Sequence, residues 1–214
     1  MTIPSARPFL AKNPIVPVVV LERVADAVPL AKALVAGGIT SAEVTFRTEA
    51  AADSIKAMAQ EVPEITVGAG TVVNRAQAEQ AIELGAKFLV SPGWSSEVAD
   101  VASERELPYL PGIANATDIM ATLPYGIDVL KFFPAVPMGG LPVLKALAAP
   151  FPQLMFMPTG GVNANNMREW LEYPKIASMG GSWMVAAKLV DAGDFDQVTA
   201  LSKEALAVVK EVRG

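Results

Sequence analysis

Short apolar runs rich in β-branched residues alternate with helical periodicities along almost the whole chain, and this alternation limits the fold more than any other feature. Strand-like segments are read at 14–20, 41–47, 65–69, 88–91, 108–110, 128–133, 154–157 and 176–179. Between them apolar residues recur at helical spacing, as at Val28, Ala31, Leu34 and Val35, where Gly37-Gly38 ends the helix. Strands separated by helices of about ten residues make right-handed βαβ units and a parallel sheet. Eight strand–helix pairs predict an α/β fold, a closed (β/α)8 TIM barrel with a short N-terminal helix. The rival is an open doubly wound sheet, but no Gly-rich dinucleotide fingerprint follows the first strand. No linker or low-complexity tract interrupts the pattern, so residues 1–214 are expected to form one (β/α)8 domain.

Composition narrows the chemistry. The chain has no histidine and no cysteine. That removes imidazole bases, Ser-His-Asp triads, His-based metal sites, disulfides and thiolate nucleophiles. Acid–base work falls to Glu, Asp, Lys, Tyr or water. A formal charge of −5 without any Lys/Arg cluster argues against nucleic acid as a partner. No apolar run of about 18 residues is present, so no membrane span is expected. The start of the chain lacks the basic-then-apolar plan of a signal peptide, and a cytoplasmic location is the expectation.

One strand breaks the apolar rule. Ile127-Asp128-Val129-Leu130-Lys131-Phe132-Phe133-Pro134 reads as a buried strand with a lysine at its centre. An ammonium in an apolar strand is costly unless it is paired, solvated at a strand end or kept partly neutral. A neutral lysine is a nucleophile suited to imine formation with a carbonyl. The plain structural alternative is a lysine snorkelling to water. Lys32, Lys56, Lys87, Lys145 and Lys188 fall on helices or at strand starts, where that solvated reading holds.

Side-chain parity adds partners. In the segment 41–47, Ala42, Val44 and Phe46 share one face, while Glu43, Thr45 and Arg47 share the other. If the apolar set packs on helices, a carboxylate and a guanidinium point into the barrel, as Lys131 does by the same rule. A Glu43–Arg47 pair on a solvated edge is the alternative, although a closed barrel has no edge strand. Three other strand ends are rich in small residues: Gly68-Ala69-Gly70-Thr71, Pro158-Thr159-Gly160-Gly161 and Gly180-Gly181-Ser182. Glycine pairs after the seventh and eighth strands mark a phosphate cradle of bare backbone N–H groups, with Ser182 adding a hydroxyl. A lysine nucleophile, a carboxylate to move protons, an arginine for a carboxylate and a phosphate cradle imply a phosphorylated 2-keto acid as substrate.

The ordered set Glu43-Val44-Thr45-Phe46-Arg47-Thr48, Gly68-Ala69-Gly70-Thr71, Ser91-Pro92-Gly93, Lys131-Phe132-Phe133-Pro134-Ala135, Pro158-Thr159-Gly160-Gly161 and Gly180-Gly181-Ser182-Trp183 closely resembles the class I 2-keto-3-deoxy-6-phosphogluconate (KDPG) aldolases. Members of that family often also cleave 4-hydroxy-2-oxoglutarate. The resemblance runs from about Pro14 to Asp194. It implies that Lys131 forms the imine and Glu43 is the general acid/base. It also implies that Arg47 and Thr71 hold the pyruvate carboxylate, and that Pro92 and Thr159 line the pocket. Gly160, Gly161 and Ser182 would bind phosphate. Pro92 on its own reads only as a turn residue. The resemblance further implies no metal, no organic cofactor and a homotrimer. The chain departs from the family pattern at Val136, where many relatives are acidic, and at Met157 and Met179, near positions that are often cysteine.

Other classes fit less well. A metal-dependent pyruvate aldolase needs several converging ligands, and Glu43 is the one inward carboxylate the sequence places. A barrel isomerase has no need of Lys131. A non-catalytic oligomeric scaffold, or a phosphate-ligand-binding barrel in which Lys131 only counters an anion, is the alternative.

Overall fold

The computed structural model describes residues 2–214. The helix α1 (Arg7–Lys12) precedes nine short strands: β1 (Ile15–Val19), β2 (Ser41–Thr45), β3 (Thr66–Gly70), β4 (Leu89–Val90), β5 (Tyr109–Leu110), β6 (Gly112–Ile113), β7 (Val129–Phe132), β8 (Met155–Pro158) and β9 (Met179–Gly181). All paired strands are parallel, and they form a six-stranded sheet ordered β5-β4-β3-β2-β1-β9 and a three-stranded sheet ordered β6-β7-β8. The expected α/β architecture is therefore present, but the ladder is two parallel sheets rather than one continuous ring. Two details lie at the breaks. Pro111 alone separates β5 from β6, and isolated bridges join Thr159 to Gly180 and Phe156 to Ile176. Proline has no N–H to donate, so Pro111 cannot supply the ladder hydrogen bond at its position.

Two strands differ from their expected extents. The segment read at 108–110 continues past Pro111 as β6. The last strand is Met179–Gly181, not 176–179, and Ile176 makes only an isolated bridge.

The helices between strands, α2 (Ala27–Ala36), α3 (Ala51–Glu61), α4 (Arg75–Glu83), α5 (Ser96–Glu104), α6 (Ala116–Thr122), α7 (Gly140–Ala148) and α8 (Met167–Leu171), are followed after β9 by α9 (Ala187–Asp191) and α10 (Phe195–Arg213). Several begin at side-chain caps the sequence encodes. Asn74, Ser95, Asn115 and Asp194 accept hydrogen bonds from the N–H groups of Gln77, Val98, Asp118 and Gln197, which satisfies amides the helix leaves unpaired. No helix among the described residues is long and apolar enough to cross a membrane.

Two hydrophobic clusters divide the interior. The larger one packs strand residues such as Ala42, Val44, Leu130 and Phe132 against helix residues such as Leu30, Leu34 and Ile55. The smaller one gathers Val16, Phe88, Leu110, Val129 and Met157 from the opposite strand faces, together with Ala6 and Leu10 at the N-terminal helix. Phe9 of α1 lies 4.7 Å from the Phe88 ring. α1 thus floors this second cluster, and Lys131 stands two residues further along β7 from Val129 on the same face.

Asp128, just ahead of β7, ties that floor in place. Its carboxylate accepts hydrogen bonds from Ser5 Oγ and the Ala6 N–H, and pairs with Arg7 Nε at 3.1 Å. Hydrogen bonds to a charged group contribute more than neutral ones. Asp128→Ala is expected to lower the free energy of unfolding by about 1–3 kcal/mol. Chemical denaturation reads this loss, and hydrogen exchange should show α1 opening first.

Candidate active site

β2 and β7 bring the two inward charges together. Glu43 and Lys131 occupy the centres of these strands, and the parity that sends Ala42, Val44, Leu130 and Phe132 to the helices turns them inward. Lys131 Nζ donates to Glu43 Oε1 at 3.0 Å, with residue exposures of 2% and 0%. The solvated-edge alternative is excluded, because Glu43 pairs with the lysine and is fully buried. Among the described residues Glu43 Oε2 has no partner, although it too is buried. A buried carboxylate oxygen without a donor is costly, so this atom is a standing acceptor for a ligand proton.

The carboxylate owes its place to a missing side chain. A Cβ on Gly70 of β3 would collide with Glu43 Oε1 and Cγ, so glycine there leaves the space that the Glu43 side chain occupies. Gly68 does the same for the Phe88 ring below.

Arg47 follows β2 in the turn, and its Nε donates to Thr71 Oγ1 at 3.0 Å. Among the described residues it makes no salt bridge, which leaves the guanidinium fork free for an anion. Thr71 holds a left-handed backbone with φ 56°. A β-branched residue there carries about 1–3 kcal/mol of strain. That conformation accompanies the hydroxyl that fixes Arg47.

Beside the pair lies a cavity of about 120 Å³ whose walls include Arg47, Phe133, Thr159, Gly160, Gly161 and Ser182. Gly160 and Gly161 have φ of 95° and 81°, values open to glycine at little cost. They turn the chain sharply after β8. Thr159 Oγ1 is buried and has no partner among the described residues, and it lies against the bare Cα of Gly180.

Most of the residues picked from sequence fall into linked groups: Glu43 with Lys131 and Arg47 with Thr71 by hydrogen bonds, and Arg47, Thr159, Gly160, Gly161 and Ser182 along one cavity. Pro92 is not among them. It lines a neighbouring cavity of about 210 Å³ with Val72, Val73, Ser91, Gly93 and Trp94. Its loop is held by Ser91 Oγ, which hydrogen-bonds the Gly93 carbonyl and the Tyr109 hydroxyl. Burial pushes the Tyr109 phenol above its usual range, so that contact stays between neutral groups.

Sequence reasoning missed Phe133. It lines the cavity, and its ring centroid is 5.3 Å from Lys131 Nζ. The signal was available, since Phe133 has the same parity as Lys131. The spacing role of Gly70 carries no sequence signal apart from the glycine itself.

A buried amine paired with a carboxylate, next to a free guanidinium and a glycine-lined anion cradle, can bind a carbonyl acid and exchange protons with it. The family described as KDPG and KHG aldolase matches residues 7–201. The 2-dehydro-3-deoxy-phosphogluconate aldolase of Treponema pallidum is 50% identical over 195 residues, 91% of this chain and 93% of the relative. The KHG/KDPG aldolase of Escherichia coli is 46% identical over 206 residues, 96% of this chain and 97% of the relative. A crystal structure of KDPG aldolase from Legionella pneumophila, with pyruvate captured as a covalent carbinolamine, superposes with a TM-score of 0.89 at 38% identity, covering 92% of this chain and 96% of that one.

The buried pair generates a stability prediction. Removing one partner leaves an uncompensated charge, whereas an apolar replacement of both is often neutral or better. Lys131→Met and Glu43→Leu are each expected to cost about 3–5 kcal/mol, and the double variant to regain most of that loss. Denaturant titration of the four proteins closes the cycle.

Proposed function

The chain belongs to the KDPG and KHG aldolase family, and from that premise we propose how its own residues carry the reaction. It is a class I, Schiff-base lyase that reversibly cleaves 2-keto-3-deoxy-6-phosphogluconate to pyruvate and glyceraldehyde 3-phosphate. The same site also cleaves 4-hydroxy-2-oxoglutarate to pyruvate and glyoxylate. The observation that carries the reading is the buried Lys131–Glu43 contact at 3.0 Å with Glu43 Oε2 unpartnered.

Lys131 passes a proton to Glu43 and attacks the C2 carbonyl carbon. Separated charges are costly in a buried site, so a proton shared across 3.0 Å moves between the two more readily than through solvent. The carbinolamine loses its hydroxyl as water, with the proton returned by Glu43, and leaves a protonated imine. Glu43, again a carboxylate, takes the proton of the C4 hydroxyl. The C3–C4 electron pair then flows into the imine, giving an enamine on Lys131 and the free aldehyde. Protonation of C3 and hydrolysis release pyruvate. The imine is the electron sink, so the route needs neither metal nor organic cofactor.

Arg47 offers its free fork to the substrate carboxylate, with Thr71 fixing the guanidinium and adding its own hydroxyl. Thr159 faces the pyruvyl part. Gly160, Gly161 and Ser182 receive the phosphate, whose charge suits bare backbone N–H groups. Pro92 bounds the carboxylate end from the adjoining loop.

The strand pairing supports a finer architecture as well. With β5 and β6 taken as one segment and the Thr159–Gly180 bridge joining β8 to β9, eight parallel segments close into a (β/α)8 barrel. Residues 1–214 then form a single domain. A cytoplasmic homotrimer completes the proposal.

The test is pyruvate release from 2-keto-3-deoxy-6-phosphogluconate. Lys131→Met is expected to lower kcat on the order of 10³-fold or more, and Glu43→Gln on the order of 10²–10⁴-fold. Activity largely retained by Lys131→Met would make the lysine structural and leave a phosphate-binding barrel or scaffold in its place.

A further inference from the structure

The turn after β8 frees two amides by holding its carbonyls elsewhere. Thr159 O accepts from the Ala135 N–H at 2.7 Å, and Gly160 O accepts from the Val136 N–H at 2.9 Å. Gly161 O accepts from the side-chain amides of both Asn163 and Asn166, each at 3.0 Å. These four donors lie outside the walls of the cavity that Gly160, Gly161 and Val162 line. We infer that Asn163 and Asn166 are positioning residues for the anion cradle: they hold the Gly161–Val162 peptide so that the Val162 N–H joins the Gly161 N–H as a phosphate donor. The inference rests on the reading of this cavity as the phosphate subsite of the aldolase.

A trans peptide is planar and sends its N–H and its C=O in opposite directions. The peptides on both sides of Gly161 are trans. With Gly160 O tied to the loop after β7 and Gly161 O tied to the two asparagines, the N–H groups of Gly161 and Val162 are turned away from those partners. Among the described residues neither N–H makes a hydrogen bond to another backbone group, and both residues line the cavity. Successive bare N–H groups are what an oxyanion needs. The buried, unpartnered Thr159 hydroxyl stands in the same wall.

Asparagine suits the task because one side-chain amide carries both a donor and an acceptor. Asn166 Oδ1 accepts from the Asn163 N–H at 2.9 Å while its Nδ2 reaches Gly161 O. Asn163 Oδ1 accepts from the Asn165 N–H at 2.9 Å while its Nδ2 reaches the same carbonyl. Each side chain is thus held at both ends, and the network settles which amide atom is the oxygen. Gly161, at φ 81°, has wide backbone freedom. The orientation of the peptide that follows it therefore depends on what grips its carbonyl.

The experiment follows addition of pyruvate to glyceraldehyde 3-phosphate and to glyceraldehyde, which differ only in the phosphate, by the parent protein, Asn163→Ala, Asn166→Ala and the double variant. The double variant is expected to lower the ratio of kcat/KM for the phosphorylated aldehyde to that for the free one by about tenfold or more, the worth of a hydrogen bond to a charged group. The loss should fall on KM for glyceraldehyde 3-phosphate. Each single variant keeps one grip on Gly161 O and should lose less. A merely structural role lowers activity on both aldehydes alike, so an unchanged ratio in the folded double variant overturns the inference. Asn166→Ser keeps an acceptor for the Asn163 N–H, and it reads a fall in the same ratio where the double variant does not fold. Titration with inorganic phosphate gives a second readout by NMR. The Val162 amide proton is expected to move downfield in the parent and to stay in place in the double variant, and a resonance that does not move in the parent overturns the inference. Equal kcat/KM for the two aldehydes in the parent removes the phosphate subsite itself. No product from either aldehyde brings down the aldolase reading, and this inference with it.

Discussion

A lysine ammonium and a glutamate carboxylate meet at 3.0 Å inside the protein, both almost wholly removed from water, and the rest of the structure is arranged around keeping them there. Each charge alone would be a heavy cost in such a place, and for a buried pair the loss of hydration can exceed what mutual attraction returns. A chain selected for stability alone has no use for them. Their persistence at the centres of two parallel strands is intelligible as a requirement of the chemistry, with the cost offset by the apolar clusters above and below the strands.

The supporting structure works mostly by leaving atoms out. Gly70 vacates the space that Glu43 fills, Gly68 admits the Phe88 ring beneath, and Gly180 makes room for the Thr159 hydroxyl. α1 closes the floor through Leu10 and Phe9 and is tied to the lysine strand by Asp128. Among the described residues two non-glycines, Thr71 and Glu106, hold a left-handed backbone, and at Thr71 it goes with the hydroxyl that fixes Arg47. The strands thus carry the buried charge pair, while the turns after them carry Arg47, Thr71 and the glycine pair, the end of the strands where barrels of this kind place their sites.

Much of this was legible in the chain. The period-2 pattern of 41–47 placed Glu43 on the inward face because Ala42, Val44 and Phe46 had to pack on helices. The same rule turned Lys131 inward. The cap residues Asn74, Ser95 and Asn115 stand where helices begin. The misses have physical causes. β9 is Met-Gly-Gly, and glycines read as a turn rather than a strand, so the strand was placed too early. Pro111 splits one extended segment into β5 and β6, which ended the fifth strand at Leu110 in the sequence reading. Pro92 is a different case: it lines a cavity with Val72, Val73 and Trp94 from the loops after β3 and β4, and strand parity does not reach into loops, so alone it reads only as a turn residue. Phe133 shares the parity of Lys131, but an aromatic residue in an apolar strand also fits the core, so parity alone does not single it out.

The account is tested most directly by borohydride reduction of the native protein in the presence of pyruvate, followed by mass spectrometry of the intact chain and its peptides. It predicts one pyruvyl adduct, carried by the peptide that contains Lys131. No adduct on folded protein, or an adduct on one of the solvated lysines in its place, would contradict it.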